Sequence, residues 1–334
     1  MQADVLLEIQ GLKTSFYQDK KIFRAVDDVD ITIHSGEILV VVGESGCGKS
    51  VTALSILNLI EGKGRVEAGS IKFQGQELRG LDKNKMRDIR GKEIAMIFQD
   101  PMISLSPVYT VGEQIAETIQ AHKKISHKKA ISQAAELLDK VGIPSPEKRI
   151  NDYPHQMSGG MRQRVMIAMA LCLNPKLLIA DEPTTALDVT IQAQILELIL
   201  ALRKQFNMSI MMITHDLGLI AEAADRVTVM YAGKVVESAG VRDLFASPMH
   251  PYTLGLMKAL PRLDKEVDKL YSIPGIVPSA AELPEGCRYA DRCPLKEQDC
   301  LEKPPSFTEI TPGHMSACLH IERIAEMSFG KTES

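Results

Sequence analysis

The sequence predicts an α/β fold built on a parallel sheet, and three observations support that reading. Ile38–Val42, Leu177–Ala180 and Ser209–Thr214 are short apolar runs, as expected of strands buried on both faces. Stretches with helical spacing follow or separate them: Ser50 to Ile60, Arg162 to Leu173 and Ile191 to Gln205. Between the first run and the first helix lies a glycine-rich turn, Gly43-Glu44-Ser45-Gly46-Cys47-Gly48-Lys49-Ser50, which fits G-x-x-x-x-G-K-[ST]. Parallel neighbours need a crossover, so this alternation of strand and helix is the expected signature of such a sheet.

The remaining elements follow in order. Leu7, Ile9 and Leu12 alternate with polar residues, and Val26 to Ile33 does the same before Ser35-Gly36, so a small antiparallel sheet is expected at the start. From about Gln99 to Gln156 the chain is polar and mostly helical, punctuated by Pro101, Pro107 and Pro144. Asn174-Pro175 stops the helix that follows. From about Ser247 prolines multiply and periodicity weakens, which predicts a loop-rich tail.

Composition limits the function classes. With 334 residues the chain exceeds one typical domain, and its 45% hydrophobic content can form a sizeable core. The formal net charge of −4 gives no global attraction to nucleic acid. No apolar run of about 18 residues is present, and Met1-Gln2-Ala3-Asp4 lacks the pattern of a secretory signal. A cytoplasmic location is expected, with any membrane role exerted through a partner. Cys287, Cys293, Cys300 and Cys318 crowd the tail; clustered cysteines in a reducing compartment read as a metal or redox site. Cys47 and Cys172 read as packing residues.

The glycine turn has a specific chemistry. Its glycines let successive N–H groups converge on a phosphate at a helix start, Lys49 adds a mobile cation, and the Ser50 hydroxyl is a ligand for Mg²⁺. Asp181 and Glu182 end the second buried run, where open α/β sheets face their ligand crevice. Asp181 can hold the magnesium through its water shell, and Glu182 is placed to polarise an attacking water.

Tyr153-Pro154-His155-Gln156-Met157-Ser158-Gly159-Gly160-Met161-Arg162-Gln163-Arg164 resembles the signature segment of ABC transporter nucleotide-binding subunits. The family's usual glutamine is replaced by Met161, which leaves the backbone donors intact. The implied fold is a P-loop NTPase core of ABC type with an antiparallel β-subdomain, a helical subdomain over about 100–165 and a cysteine-rich C-terminal module. The implied division is an ATP-binding domain, 1–255, and an extension, 256–334. The resemblance implies ATP contacts by Gly43, Glu44, Ser45, Gly46, Cys47, Gly48, Lys49, Ser50, Val51 and Thr52, with Phe16 or Tyr17 stacking on adenine. It implies trans contacts to a second subunit's ATP by Ser158, Gly159, Gly160, Met161 and Asp188, the last in the Ala186-Leu187-Asp188 loop. Gln99 resembles the glutamine that senses magnesium and the attacking water; His215, followed by Asp216, resembles the histidine that steadies the γ-phosphate.

Two flanking stretches are similar to dipeptide and oligopeptide importers: Gln99-Asp100-Pro101-Met102-Ile103-Ser104-Leu105-Ser106-Pro107-Val108 and Ser247-Pro248-Met249-His250-Pro251-Tyr252-Thr253. The resemblance implies a peptide importer ATPase, with nickel importers of the same subfamily and non-transport ABC ATPases as alternatives. The expected partners are permease subunits, a second ABC ATPase in a heterodimer or homodimer, and indirectly an extracellular peptide-binding protein, at the cytoplasmic face of the membrane. DNA-repair relatives would carry a coiled-coil insertion, translation factors two cassettes, and drug exporters fused membrane helices; none is visible. The cysteine spacing C-x5-C-x6-C-x17-C lacks the short knuckles of structural zinc. The extension resembles an iron–sulfur module, so a 4Fe–4S cluster is expected, with zinc or unligated thiols left open. His314 and His320 are nearby, and surface positions are expected for both.

Overall fold

The computed structural model describes residues 4–18, 21–99, 104–185, 187–215, 217–259 and 271–328. Asp100, Pro101, Met102 and Ile103 of the peptide-importer stretch lie outside the described residues, as do Ala186 and Asp216. In chain order the described strands are β1 (Val5–Gln18), β2 (Lys21–His34), β3 (Ile38–Val42), β4 (Gly64–Phe73), β5 (Gln76–Glu77) and β6 (Ile94–Ile97). They continue with β7 (Leu177–Asp181), β8 (Ser209–Ile213), β9 (Arg226–Tyr231), β10 (Lys234–Gly240), β11 (Thr308–Thr311) and β12 (His314–Ser316). The chain forms two compact units.

One unit comprises His34–Glu37 and Gly80–Ile213. Its sheet is parallel, with β7 between β6 and β8: Ile97 faces Ala180, and Asp181 faces Ile213. Every residue of β7 and β8 is buried, which explains their unbroken apolar sequences. Each such Leu or Ile contributes about 1.5–3 kcal/mol relative to exposure. The helices are set by local signals. Thr110 and Ser126 accept N–H bonds from Glu113 and Lys129 and so start the helices Val111–His122 and His127–Lys140. The helix Gly159–Leu171 ends before Asn174, which adopts the left-handed conformation ahead of Pro175. Lys176 and Leu177 then donate to the Glu93 carbonyl and register β7 beside β6.

The other unit comprises Asp4–Ile33, Ile38–Arg79 and the chain from Thr214 onward. A four-stranded sheet runs in the order β2-β1-β4-β5: β1 and β2 are the two stretches with the alternating pattern, and β4, which that pattern does not mark, pairs antiparallel with β1. In the unit's second sheet β3 pairs in parallel with β9, and β9 turns through Ala232-Gly233 into antiparallel β10. Both turn residues have positive φ, the conformation that matches a two-residue turn to strand twist.

The tail does not hang free of this sheet. β12 pairs antiparallel with β10, and β11 with β12, so the last hairpin covers an edge that would otherwise be an open template. This pairing corrects the surface placement expected for His314. The residue is buried, with Nε2 2.7 Å from Glu237 Oε1, which also accepts the Met249 N–H. His320 is half-buried and bonds Asp299 at 3.0 Å.

Candidate functional site

β3 delivers the chain into the glycine turn in the second of these units. Gly43, Gly46 and Gly48 have φ of 150°, 78° and 101°. At Gly48 glycine is obligatory, because an added Cβ would also collide with the Ala25 carbonyl. Gly48 is the N-cap of the helix Lys49–Ile56, and no side chain caps it, so the first-turn N–H groups point out of the helix end. That helix is shorter than its spacing suggests, because Asn58 turns left-handed just past it. Thr52 returns its hydroxyl to the Gly48 carbonyl at 2.9 Å and fixes the turn.

Lys49 is buried, with Nζ 2.7 Å from the Gly43 carbonyl and 3.1 Å from that of Glu44. Its charge therefore rests on neutral dipoles, which a phosphate would outcompete through stronger charge-assisted bonds. Space beside Gly46 is open: a Cβ there would meet nothing within 4 Å. Cys47 is buried as a packing residue, and burial pushes its thiol up. Cys172 is likewise buried, its thiol pushed up to about 12.

The two aromatic candidates lie at the end of β1. Phe16 faces Gly64 across the sheet and packs close to it. The Tyr17 hydroxyl donates to Glu67, which raises the phenol above its usual range, and the Arg65 guanidinium lies 5.6 Å from its ring centroid. His215 is exposed, one residue after Thr214, whose N–H donates to the Val41 carbonyl.

The acidic strand end belongs to the first unit. Asp181 is buried at the end of β7, and Glu182 turns away from the strand with φ of 46°. A left-handed non-glycine residue at a strand end is uncommon and concentrates at functional sites. The carboxylate is aimed by two donors on Oε2: Gln99 Nε2 at 2.8 Å and Thr185 Oγ1 at 2.9 Å. The structure thus joins Gln99 to Glu182 across 83 residues of sequence. Thr185 is a contact that the sequence did not mark.

Ser158 caps the helix Gly159–Leu171 and accepts the Met161 N–H at 3.3 Å, leaving the Gly159 and Gly160 N–H groups at the helix tip. The two glycines admit a close neighbour: Cβ atoms there would stand 3.4 Å from Leu187 and 3.0 Å from Ile191. Buried Gln163 donates to the Pro183 carbonyl and ties this helix to the turn after Glu182, another contact that sequence reading missed. Asp188 is exposed at the N-cap of Val189–Phe206.

In the tail Cys287, Cys293, Cys300 and Cys318 line one small cavity with His250, His320 and apolar residues. Burial pushes Cys293 up to about 11 and Cys318 up to about 12. The Cys293 sulfur receives an N–H bond from Leu295 at 3.4 Å, and the Ala290 N–H donates to the Cys287 carbonyl. Among the described residues, the one set of three or more ligand atoms all within 4.8 Å of one another is Asp299, Cys300 and His320, so the four sulfurs are more widely spaced. His250 is fully buried, lowered to about 3 by burial, and accepts the Tyr252 N–H on Nδ1.

Residues 26–185 match the ABC transporter family, and residues 236–300 match the oligopeptide/dipeptide transporter C-terminal region. A probable peptide ABC transporter ATP-binding protein of Sinorhizobium fredii is 53% identical over 98% of both chains. The chain belongs to the ABC transporter ATP-binding proteins. The oligopeptide transport ATP-binding protein AppD of Bacillus subtilis is also 53% identical, over 97% of this chain and 99% of its own. Among solved structures, the ATP-binding cassette MJ0796, dimeric and bound to ADP and Pi after hydrolysis, superposes with a TM-score of 0.64. It has 26% identity and covers 71% of this chain and 99% of its own. The chain accordingly has the ABC ATPase cassette fold, of mixed α/β type, and is an ATPase of that class.

Proposed function

We propose that this chain is the ATP-hydrolysing subunit of an importer of di- or oligopeptides. The observation that carries the reading is near-complete coverage, at 53% identity, of two relatives named for peptide transport. The tail match to the oligopeptide/dipeptide region supports it. Among the described residues no helix is long and apolar enough to cross a membrane. The proposed assembly places the chain at the cytoplasmic face, beside permease subunits and a second ABC ATPase, as heterodimer or homodimer. An extracellular binding protein delivers the peptide. The ATP-binding domain is assigned to residues 1–255 and the extension to 256–334, a division that falls within the helix Pro251–Lys258.

In this reading the loop Gly43–Thr52 receives the phosphates on backbone N–H groups, and Lys49 leaves its two carbonyls for the β- and γ-phosphates. The uncapped helix start and the open side of Gly46 fit that use. Phe16 or Tyr17 stacks on adenine. Ser50, Asp181 and Gln99 would hold Mg²⁺, which would supply charge neutralisation at the phosphates. Glu182, aimed by Gln99 and Thr185, accepts the proton of the attacking water. His215 steadies the γ-phosphate. Ser158, Gly159, Gly160, Met161 and Asp188 face the nucleotide of the opposing subunit. The chemistry is positioning and charge stabilisation, with no covalent intermediate.

The four cysteines are proposed to hold a 4Fe–4S cluster. Tetrahedral zinc, with Zn–S of about 2.3 Å, would hold all four sulfurs roughly 3.8 Å apart, whereas no three of them stand mutually within 4.8 Å. The Leu295 N–H on the Cys293 sulfur suits a thiolate bound to a cluster.

Affinity capture of the tagged chain from detergent-solubilised membranes tests the assembly. Permease subunits and a second ATP-binding subunit are expected in near-stoichiometric yield; ribosomes or DNA in their place would overturn the transport reading.

A further inference from the structure

The phosphate loop is gripped from an unexpected direction. Arg292, the residue before Cys293, forms a two-pronged ion pair with Glu44 of the loop. Nη1 lies 2.6 Å from Oε2, and Nη2 lies 2.9 Å from Oε1. The Glu44 N–H also donates to the Tyr252 hydroxyl at 2.8 Å. Both handles of Glu44, side chain and backbone, are therefore held by residues more than 200 positions away in sequence.

The grip is rigid at its far end. The Arg292 side chain is 5% exposed against 29% for Glu44. Its Nε donates to the Pro274 carbonyl at 2.9 Å, and its guanidinium carbon lies 5.7 Å from the Tyr231 ring centroid. The rings of Tyr231, Tyr252 and Tyr289 pack on one another with centroids 4.7–5.4 Å apart. The short turn Ala290–Arg292 lies between Cys287 and Cys293 and is closed by N–H bonds from Arg292 to Tyr289 and from Cys293 to Ala290. The Glu44 bond raises the Arg292 guanidinium above its already high range, and burial keeps the Tyr252 phenol protonated.

We propose that Arg292 and Tyr252 are positioning residues of the nucleotide site, fixing Glu44 so that the phosphate loop is already shaped before ATP arrives. The proposal rests on the ATP-site reading given above. The loop has left-handed glycines at Gly43, Gly46 and Gly48, so its backbone is intrinsically loose. Ordering it in advance removes a cost otherwise incurred on binding. A fork-shaped guanidinium sets direction as well as charge, which an ammonium does not.

Titration of the purified full-length chain with a fluorescent ADP analogue and Mg²⁺ tests this. Arg292→Ala should weaken binding about tenfold, the scale of a charge-assisted pair, with kcat at saturating ATP within about twofold of wild type. Arg292→Lys should recover only part of the loss. On a Glu44→Gln background Arg292→Ala should add less than about twofold, since the shared partner is already impaired. Arg288→Ala, which removes a tail contact to Asp27 and the Ala232 carbonyl rather than to Glu44, should leave affinity unchanged.

Wild-type affinity in Arg292→Ala, or an undiminished loss on the Glu44→Gln background, would overturn the proposal. A lowered melting temperature with unchanged affinity would show a purely structural contact and would overturn it equally. Should Arg292→Ala fail to fold, Tyr252→Phe decides: weakened binding supports the grip, and wild-type binding rejects it. Lys49→Ala separates the two readings. If that variant also binds like wild type, the ATP site itself is wrongly placed; if it alone loses binding, only the grip is wrong.

Discussion

Glu182→Gln should lower ATP turnover by about 10²- to 10⁴-fold, the range for loss of a positioned general base. The substitution is close to isosteric, so Gln99 and Thr185 can keep an oxygen acceptor where they now hold Oε2. The left-handed backbone at Glu182 is retained as well, since a glutamine tolerates it no worse than a glutamate. Nucleotide affinity should therefore stay within about threefold, well under the 1.4 kcal/mol that a tenfold change represents. With binding intact and hydrolysis blocked, the ATP-bound chain should accumulate as a closed dimer, visible by sedimentation in the presence of MgATP. Phosphate release at near-normal rate would remove Glu182 from the role of base.

The second large effect concerns the cysteine cavity. Anaerobically purified chain should be brown and carry about four iron and four sulfide per chain, as four thiolates around a cubane require. Cys300→Ser should strip most of that iron, because Cys300 is buried and its carbonyl accepts the Cys287 N–H at 2.7 Å, so the site has little room to recruit a substitute. His320 is the exception to watch, since it lines the same cavity and stands within ligand distance of Cys300. Colourless protein with one zinc would overturn the cluster, and metal-free protein with four titratable thiols would remove the site.

The parts of this molecule that sequence alone exposes are those coded locally. β3, β7 and β8 are buried on both faces, so their composition identifies them without knowledge of neighbours. The phosphate loop is legible because its glycines and lysine are consecutive. Helical spacing exposes Gly159–Leu171 only from Arg162 onward, and its first turn is set by the Ser158 cap and the two glycines. What remained hidden depends on long-range pairing. Nothing near Arg292 signals Glu44, 248 residues away, and nothing near Tyr252 signals the same residue. His314 reads as a surface histidine until β12 joins β10 and carries it against Glu237. Thr185 and Gln163 are ordinary polar residues in sequence, and only folding gives them the Glu182 carboxylate and the Pro183 carbonyl.

ATP hydrolysis at this chain's site is proposed to drive peptide uptake. Accumulation of a radiolabelled tripeptide tests it most directly, in cells whose copy of the chain is either wild type or Glu182→Gln at equal expression, with labelled nickel followed in parallel. Tripeptide uptake should collapse with Glu182→Gln while nickel uptake is unaffected. Undiminished tripeptide uptake, or a loss confined to nickel, would contradict the proposal.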